Sequence, residues 1–229
     1  MFSDTLDQLS EKTQGRERFI TRSYNHLLLA VGAFVAFEYY LFSSGLAERI
    51  AAALTGVSWL LVLGAFMIIG FLASSAAIRA ESKGVQYAAL FGTSIAWAII
   101  FVPLIYFAEM RVPGVTKTAG IATILGFLAL TSIAFHTRKD FSFLGGFLRW
   151  GGLIAIGLIV LAVLGMLDLG VWFSAAMLLY SGAAVLFKTS EIIHHYPDDR
   201  YVSAGLELFA AIALMAWYMV QIFTSFSGD

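Results

Sequence analysis

Seven apolar runs, each long enough to cross about 30 Å of hydrocarbon at 1.5 Å per residue, succeed one another with only short polar joints between them. Hydropathy over windows of span length places helices at residues 24–43, 53–77, 86–108, 114–136, 144–166, 169–192 and 201–224. The expectation is an all-α fold, a polytopic transmembrane bundle of seven helices, preceded by a polar tail over residues 1–23 and forming one domain over residues 24–229.

Composition supports the same solvent. Hydrophobic residues make up 60% of the 229 positions and charged residues 13%, where soluble domains carry about 25% charge. A net charge of −1 with no long basic patch gives no footprint for nucleic acid. The absence of cysteine removes disulfides, thiolate metal sites and cysteine nucleophiles together. Residues 1–23 lack the apolar stretch of a cleavable signal, so the first span is expected to serve as the insertion signal.

Orientation follows from Lys and Arg, which are retained on the cytoplasmic side. One set of span ends carries Lys12, Arg16, Arg18, Arg22, Arg79, Lys83, Arg138, Lys139, Arg149, Lys188 and Arg200, and the other only Arg49, Arg111 and Lys117. The amino terminus is therefore expected in the cytoplasm and the short carboxyl tail outside. The mixed-charge segment from Met1 to Arg22 reads as a mobile tail, either lying on anionic headgroups or serving as a handle for a cytoplasmic partner. Small residues at four-residue spacing, Ala88, Gly92 and Ala96, then Ala122 and Gly126, then Gly151 and Ala155, read as helix-packing positions.

Charges inside the spans carry most of the functional information, because an ionisable side chain within the membrane needs a partner, a wet cavity or a nearby interface. Lys188 lies near the cytoplasmic end of the sixth span and Glu207 about six residues into the seventh, at similar depth. An ion pair between them is geometrically reasonable, while Lys188 could equally reach the headgroups or meet Glu191 one turn away. Glu38 and Glu109 sit toward the outer ends of the first and third spans, where interfacial solvation is the simpler expectation. A lining role for Glu38 in an ion path is the sharper alternative.

The joint His194-His195-Tyr196-Pro197-Asp198-Asp199 invites a metal reading, but adjacent histidines seldom converge on one ion. It reads as a tight turn, with Asp198 or Asp199 capping the seventh helix. No Ser, His and acid constellation or metal-ligand helix motif points to catalysis, and neither a metal nor a cofactor is expected.

Two segments carry a resemblance: Thr137-Arg138-Lys139-Asp140-Phe141-Ser142-Phe143-Leu144-Gly145-Gly146, and the run from Ser181 to His194 that contains Lys188-Thr189-Ser190-Glu191. With the seven-span layout, they resemble the Bax inhibitor-1 family, in its bacterial YccA branch. That resemblance implies six helices around a central seventh, in a bacterial inner membrane. It also implies two activities: a pH-sensitive calcium leak in the wider family, and binding of the membrane AAA protease FtsH with its HflK/HflC partners in the YccA branch. The leak is associated with paired aspartates, one just before a Thr in the sixth helix and one in the seventh. Here those positions hold Lys188 and Ala211. Two close carboxylates share a proton and titrate anomalously, which lysine and alanine cannot do. A modulator of proteolysis is therefore expected, with the lipid bilayer as solvent and the turns holding Arg138, Lys139, Asp140, Asp198 and Asp199 as partner-contact surfaces. A calcium or cation leak through Lys188, Glu191, Glu207 and Glu38 is the competing expectation.

Overall fold

A computed structural model describes residues 2–55 and 82–227, with side chains from residue 13 onward. The described elements are all helical: α1 (Phe2–Ser43), α2 (Leu46–Thr55), α3 (Lys83–Arg111), α4 (Val115–Thr137), α5 (Leu144–Val163), α6 (Val171–His194) and α7 (Tyr201–Ser227). Six of these contain stretches long and apolar enough to cross a membrane, the first being Thr13–Ser43. The chain is a multi-pass membrane protein. Apart from residues 53–55, the expected second span lies outside the described residues, as does Arg79.

The first helix differs most from expectation. It begins at Phe2, so the boundary expected at residue 23 falls within one continuous helix. A buried stripe explains this: Phe19, Ser23, Leu27, Ala30, Glu38 and Leu41 recur at three-, four- and eight-residue steps, which puts them on one face of a helix. The expected mobility of the tail does not extend to residues 16–23, whose Phe19 and Ser23 are buried in the bundle. Gly45, at φ 74°, stops the helix and turns the chain into α2, whose Ala47 and Ala51 pack with Leu41 and Val102.

The joints are short and chemically specific. After α3 the chain turns at Gly114, φ 84°. There the Glu109 carboxylate accepts the backbone N–H groups of Gly114 at 2.7 Å and Thr116 at 2.9 Å. Glu109 is thus an anionic cap on the start of α4 rather than a freely solvated interfacial acid. Arg138 closes α4 in the left-handed region at φ 49°.

Packing gathers on α7, which contacts α1, α3, α4 and α6, whereas α5 lies at the edge against α6, its Ala155 sharing an apolar cluster with Met177 of α6 and Tyr218 of α7. The main core joins Phe19, Leu27 and Ala30 of α1 to Leu90, Val185, Ile192, Leu208, Phe209 and Met215. Outward, Ile124, Leu125 and Leu128 of α4 and Trp150, Leu153 and Ile154 of α5 are exposed, as lipid-facing residues are. Backbone meets backbone at Gly205, where an added Cβ would lie 2.8 Å from the Ser23 carbonyl oxygen and 2.9 Å from the Leu27 nitrogen. Among the expected packing glycines, Gly126 faces Met215 and Gly151 faces Tyr180, but Gly92 faces open space.

Candidate functional site

The carboxyl-terminal turns of α6 and the first turns of α7 meet at the end of the bundle that carries most of the basic residues. Lys188 Nζ lies 2.8 Å from Glu191 Oε2 and 2.8 Å from Glu207 Oε2. Both pairings thus occur together, and one ammonium is shared by two carboxylates. Helical geometry explains the first, since residues three apart lie on one face. Only the packing of α6 on α7 supplies the second.

A cavity of about 480 Å³ opens here, lined by Lys188, Glu191, His195, Tyr196, Pro197, Arg200 and Glu207. Tyr196 is the joint of this site. Burial, and then the negative charges of Glu207 and Glu191, push its phenol above the ordinary tyrosine range. The phenol therefore stays a proton donor facing carboxylates. Ala211, one turn beyond Glu207, is only 7% exposed and belongs to the apolar core.

The two turns expected to meet a partner are tied to each other. Asp140 Oδ2 lies 2.8 Å from His195 Nε2, and Asp140 Oδ1 accepts the Ser142 N–H at 2.9 Å. The His195 hydrogen bond and the Ser142 N–H hold the Asp140 carboxyl down at about 2. Next to it, the Phe141 N–H donates to the buried Ser190 hydroxyl at 2.9 Å. Arg138 and Lys139 are exposed at the tip of this turn. The His194 ring nitrogen lies 3.1 Å from the Ser190 carbonyl, with its ring centroid 6.0 Å from that of His195.

The aspartates of the second turn are held by cations: Asp198 meets Arg16 of α1, and Asp199 pairs with its chain neighbour Arg200 at 3.2 Å. The Asp199 carbonyl accepts Lys83 Nζ at 2.8 Å.

Glu38 also departs from expectation. Its residue is 8% exposed and neither carboxylate oxygen has a hydrogen-bond partner among the described residues. The α1 stripe turns it inward, toward the side where Leu41 meets α2 and α3, so interfacial solvation does not describe it. Nothing brings Glu38 to the Lys188 cluster.

A larger cavity, about 770 Å³, lies at the opposite end, lined by Arg111, Ser174, Trp217, Gln221 and Thr224 among others. It holds one cation and several hydroxyl and amide groups, without the carboxylates of the Lys188 site.

Arg16, Tyr196 and Gly205 are the positions that sequence reasoning missed. Arg16 reads as one more basic residue of the tail, and its partners lie some 180 positions away. Tyr196 sits inside a turn motif that accounts for it locally. Gly205 stands in no repeated small-residue pattern.

The chain is similar to several known bacterial proteins. The uncharacterized protein PA2604 of Pseudomonas aeruginosa is 33% identical over 116 residues, 50% of this chain and 52% of that protein. The modulator of FtsH protease YccA of Escherichia coli strain K12 is 36% identical over 91 residues, 39% of this chain and 41% of that protein. The uncharacterized protein NMA0420 of Neisseria meningitidis is 26% identical over 155 residues, 66% of each. The matched region thus spans about half the length of the Pseudomonas relative. The family model described as inhibitor of apoptosis-promoting Bax1 matches residues 16–228, from the first turns of the docked part of α1 to the end of α7, and the chain belongs to that Bax1-I family.

Proposed function

We propose that this protein is a YccA-type inner-membrane modulator of a membrane-bound AAA protease of the FtsH kind, acting by binding and without chemistry of its own. The amino terminus and the Lys188 cluster face the cytoplasm in this reading, as the distribution of Lys and Arg favours. The last helix α7 forms the axis of the bundle, in keeping with its packing against α1, α3, α4 and α6. The observation that carries the reading is Lys188 itself: in this reading the ammonium, bridged to Glu191 of its own helix and Glu207 of α7, latches α6 to α7 at that end of the bundle where a titratable carboxylate pair would otherwise stand. The relative named as a modulator of FtsH protease supplies the partner class.

The contact surfaces are the helical arm before Arg16, the Arg138 to Asp140 turn and the Asp198 to Asp199 turn. Because residues 16–23 pack into the bundle, the segment to delete is 2–12, upstream of the docked residues. Its loss abolishes copurification with the protease and the HflK/HflC pair while the protein remains inserted. Copurification at the full level after that deletion overturns the arm as the handle.

A cation or calcium leak is the second reading, favoured by the excess of carboxylate over ammonium in the cluster. It requires calcium flux through purified protein in vesicles, with a pH dependence that Glu207→Gln removes. Absence of flux leaves the modulator.

A further inference from the structure

Arg16 reaches from α1 to the far end of α6. Its Nε donates to the Ile193 carbonyl at 3.0 Å, and its Nη1 donates to the Tyr196 carbonyl and the Asp198 carboxylate. The Ile193 carbonyl belongs to the last turn of α6 and the Tyr196 carbonyl to the turn just past it, where backbone acceptors lack helical donors and a cation is favoured. A guanidinium suits this role because its fork serves several acceptors at once. Below it, the guanidinium carbon stands 4.8 Å from the Phe19 ring centroid, and Phe19, 2% exposed, stacks on Tyr196 at 6.1 Å.

Tyr196 is therefore gripped from two sides. Its backbone and ring are held by Arg16 and Phe19 of α1, while its phenol faces Glu207 and Glu191, the carboxylates that hold Lys188. Its own N–H is tied to the Glu191 carbonyl at 2.8 Å. A movement of α1 at Arg16 has only one residue to pass through before it reaches the ion cluster.

We infer that Arg16 is a positioning residue that couples the amino-terminal helical arm to the Lys188 bridge through Tyr196, so that withdrawing the arm opens the cavity at that end of the bundle. The inference rests on the reading of the bridge as a closure. It adds a direction to it: a partner that grasps residues 2–12 pulls on the docked part of α1, loosening the Arg16 contacts before the Asp198 turn, then Tyr196 and its carboxylates. Partner binding at the arm and opening of the bundle become one linked equilibrium.

The absence of cysteine makes the test clean. A single cysteine at Ala211, about 6 Å past Glu207 along α7, reports access of a water-soluble maleimide to the core below the bridge in the purified full-length protein. Labelling is slow in the otherwise unaltered chain and about tenfold faster in Lys188→Met and in Arg16→Ala, the change expected when a minor open state becomes well populated. Arg16→Lys, with a point charge in place of the fork, gives an intermediate rate. Tyr196→Phe keeps the ring stack and loses the phenol, so it speeds labelling at Ala211→Cys while the arm stays resistant to protease. A general loosening of the fold moves both readouts together.

Fast labelling in Lys188→Met with an unchanged rate in Arg16→Ala overturns the coupling and leaves the closure intact. An unchanged rate in both shows that the bridge is no closure, and the coupling falls with it. Should Arg16→Ala fail to fold, Asp198→Asn removes a single acceptor, with the same direction and a smaller change expected.

Discussion

Lys188 on α6 and Glu207 on α7 meet at 2.8 Å with Glu191 at the same distance from the ammonium, so one cation is shared by two carboxylates from different helices. The three side chains are 15 to 29% exposed, which leaves the interaction only partly screened. Removing the shared ammonium strands two like charges, whereas removing one carboxylate leaves a complete pair. Lys188→Met should therefore cost more than Glu207→Gln or Glu191→Gln, by about 1–3 kcal/mol for the lysine. Thermal or denaturant unfolding of the purified variants measures this order. Equal costs for all three would show that the ammonium is held independently of the carboxylates.

Asp140 supplies a pH dependence with a defined sign. Its folded-state carboxyl is lowered to about 2, below the ordinary aspartate value of about 3.9. A depressed folded value contributes stability that is fully present above the unfolded value and is lost as pH falls through the folded one. The loss thus runs from about pH 4 to about pH 2. Asp140→Asn should flatten the acid side of the unfolding profile in that window while leaving the profile near neutrality parallel to that of the unaltered chain. A profile of unchanged steepness between pH 4 and 2 would assign the acid sensitivity elsewhere.

Gly205 and Gly92 should respond oppositely to alanine. A Cβ at Gly205 would press on α1 backbone at 2.8 and 2.9 Å, and overpacking of this kind costs about 1–3 kcal/mol. At Gly92 nothing lies within 4 Å, so Gly92→Ala gains about 0.5–1 kcal/mol of helix propensity. Melting temperatures of the two variants separate the cases, and a destabilised Gly92→Ala would reveal a close neighbour there.

Glu38 is buried without a hydrogen-bond partner among the described residues. An unsatisfied polar group of this kind costs about 1–3 kcal/mol, so Glu38→Met should raise the unfolding midpoint. A lower midpoint, together with loss of a measured activity, would mean that the carboxyl is held for function by a partner.

The Lys188 cluster was half legible in the sequence. Glu191 follows Lys188 by three residues, a spacing that places both on one helix face, and the shared depth of Lys188 and Glu207 followed from counting residues. The alternatives could not be separated, because the rotation of α6 against α7 sets which side chains meet. Arg16 shows the limit more sharply: nothing near it in the chain marks an arginine that will serve carbonyls on another helix.

Sequence alone determined the solvent, the class of fold and the placement of the described spans, since hydrocarbon demands long apolar helices and records that demand in every window of the chain. The motif between the fourth and fifth spans and the one within the sixth also carried the family. Tertiary structure decided that the amino-terminal segment is helical and partly docked, that Glu109 caps α4, that Glu38 turns inward, and that Lys188 bridges two acids with Tyr196 and Arg16 behind it. Those outcomes depend on helix rotation and on close approach at residues such as Gly205. Both arise from contacts between distant segments, so no local pattern encodes them.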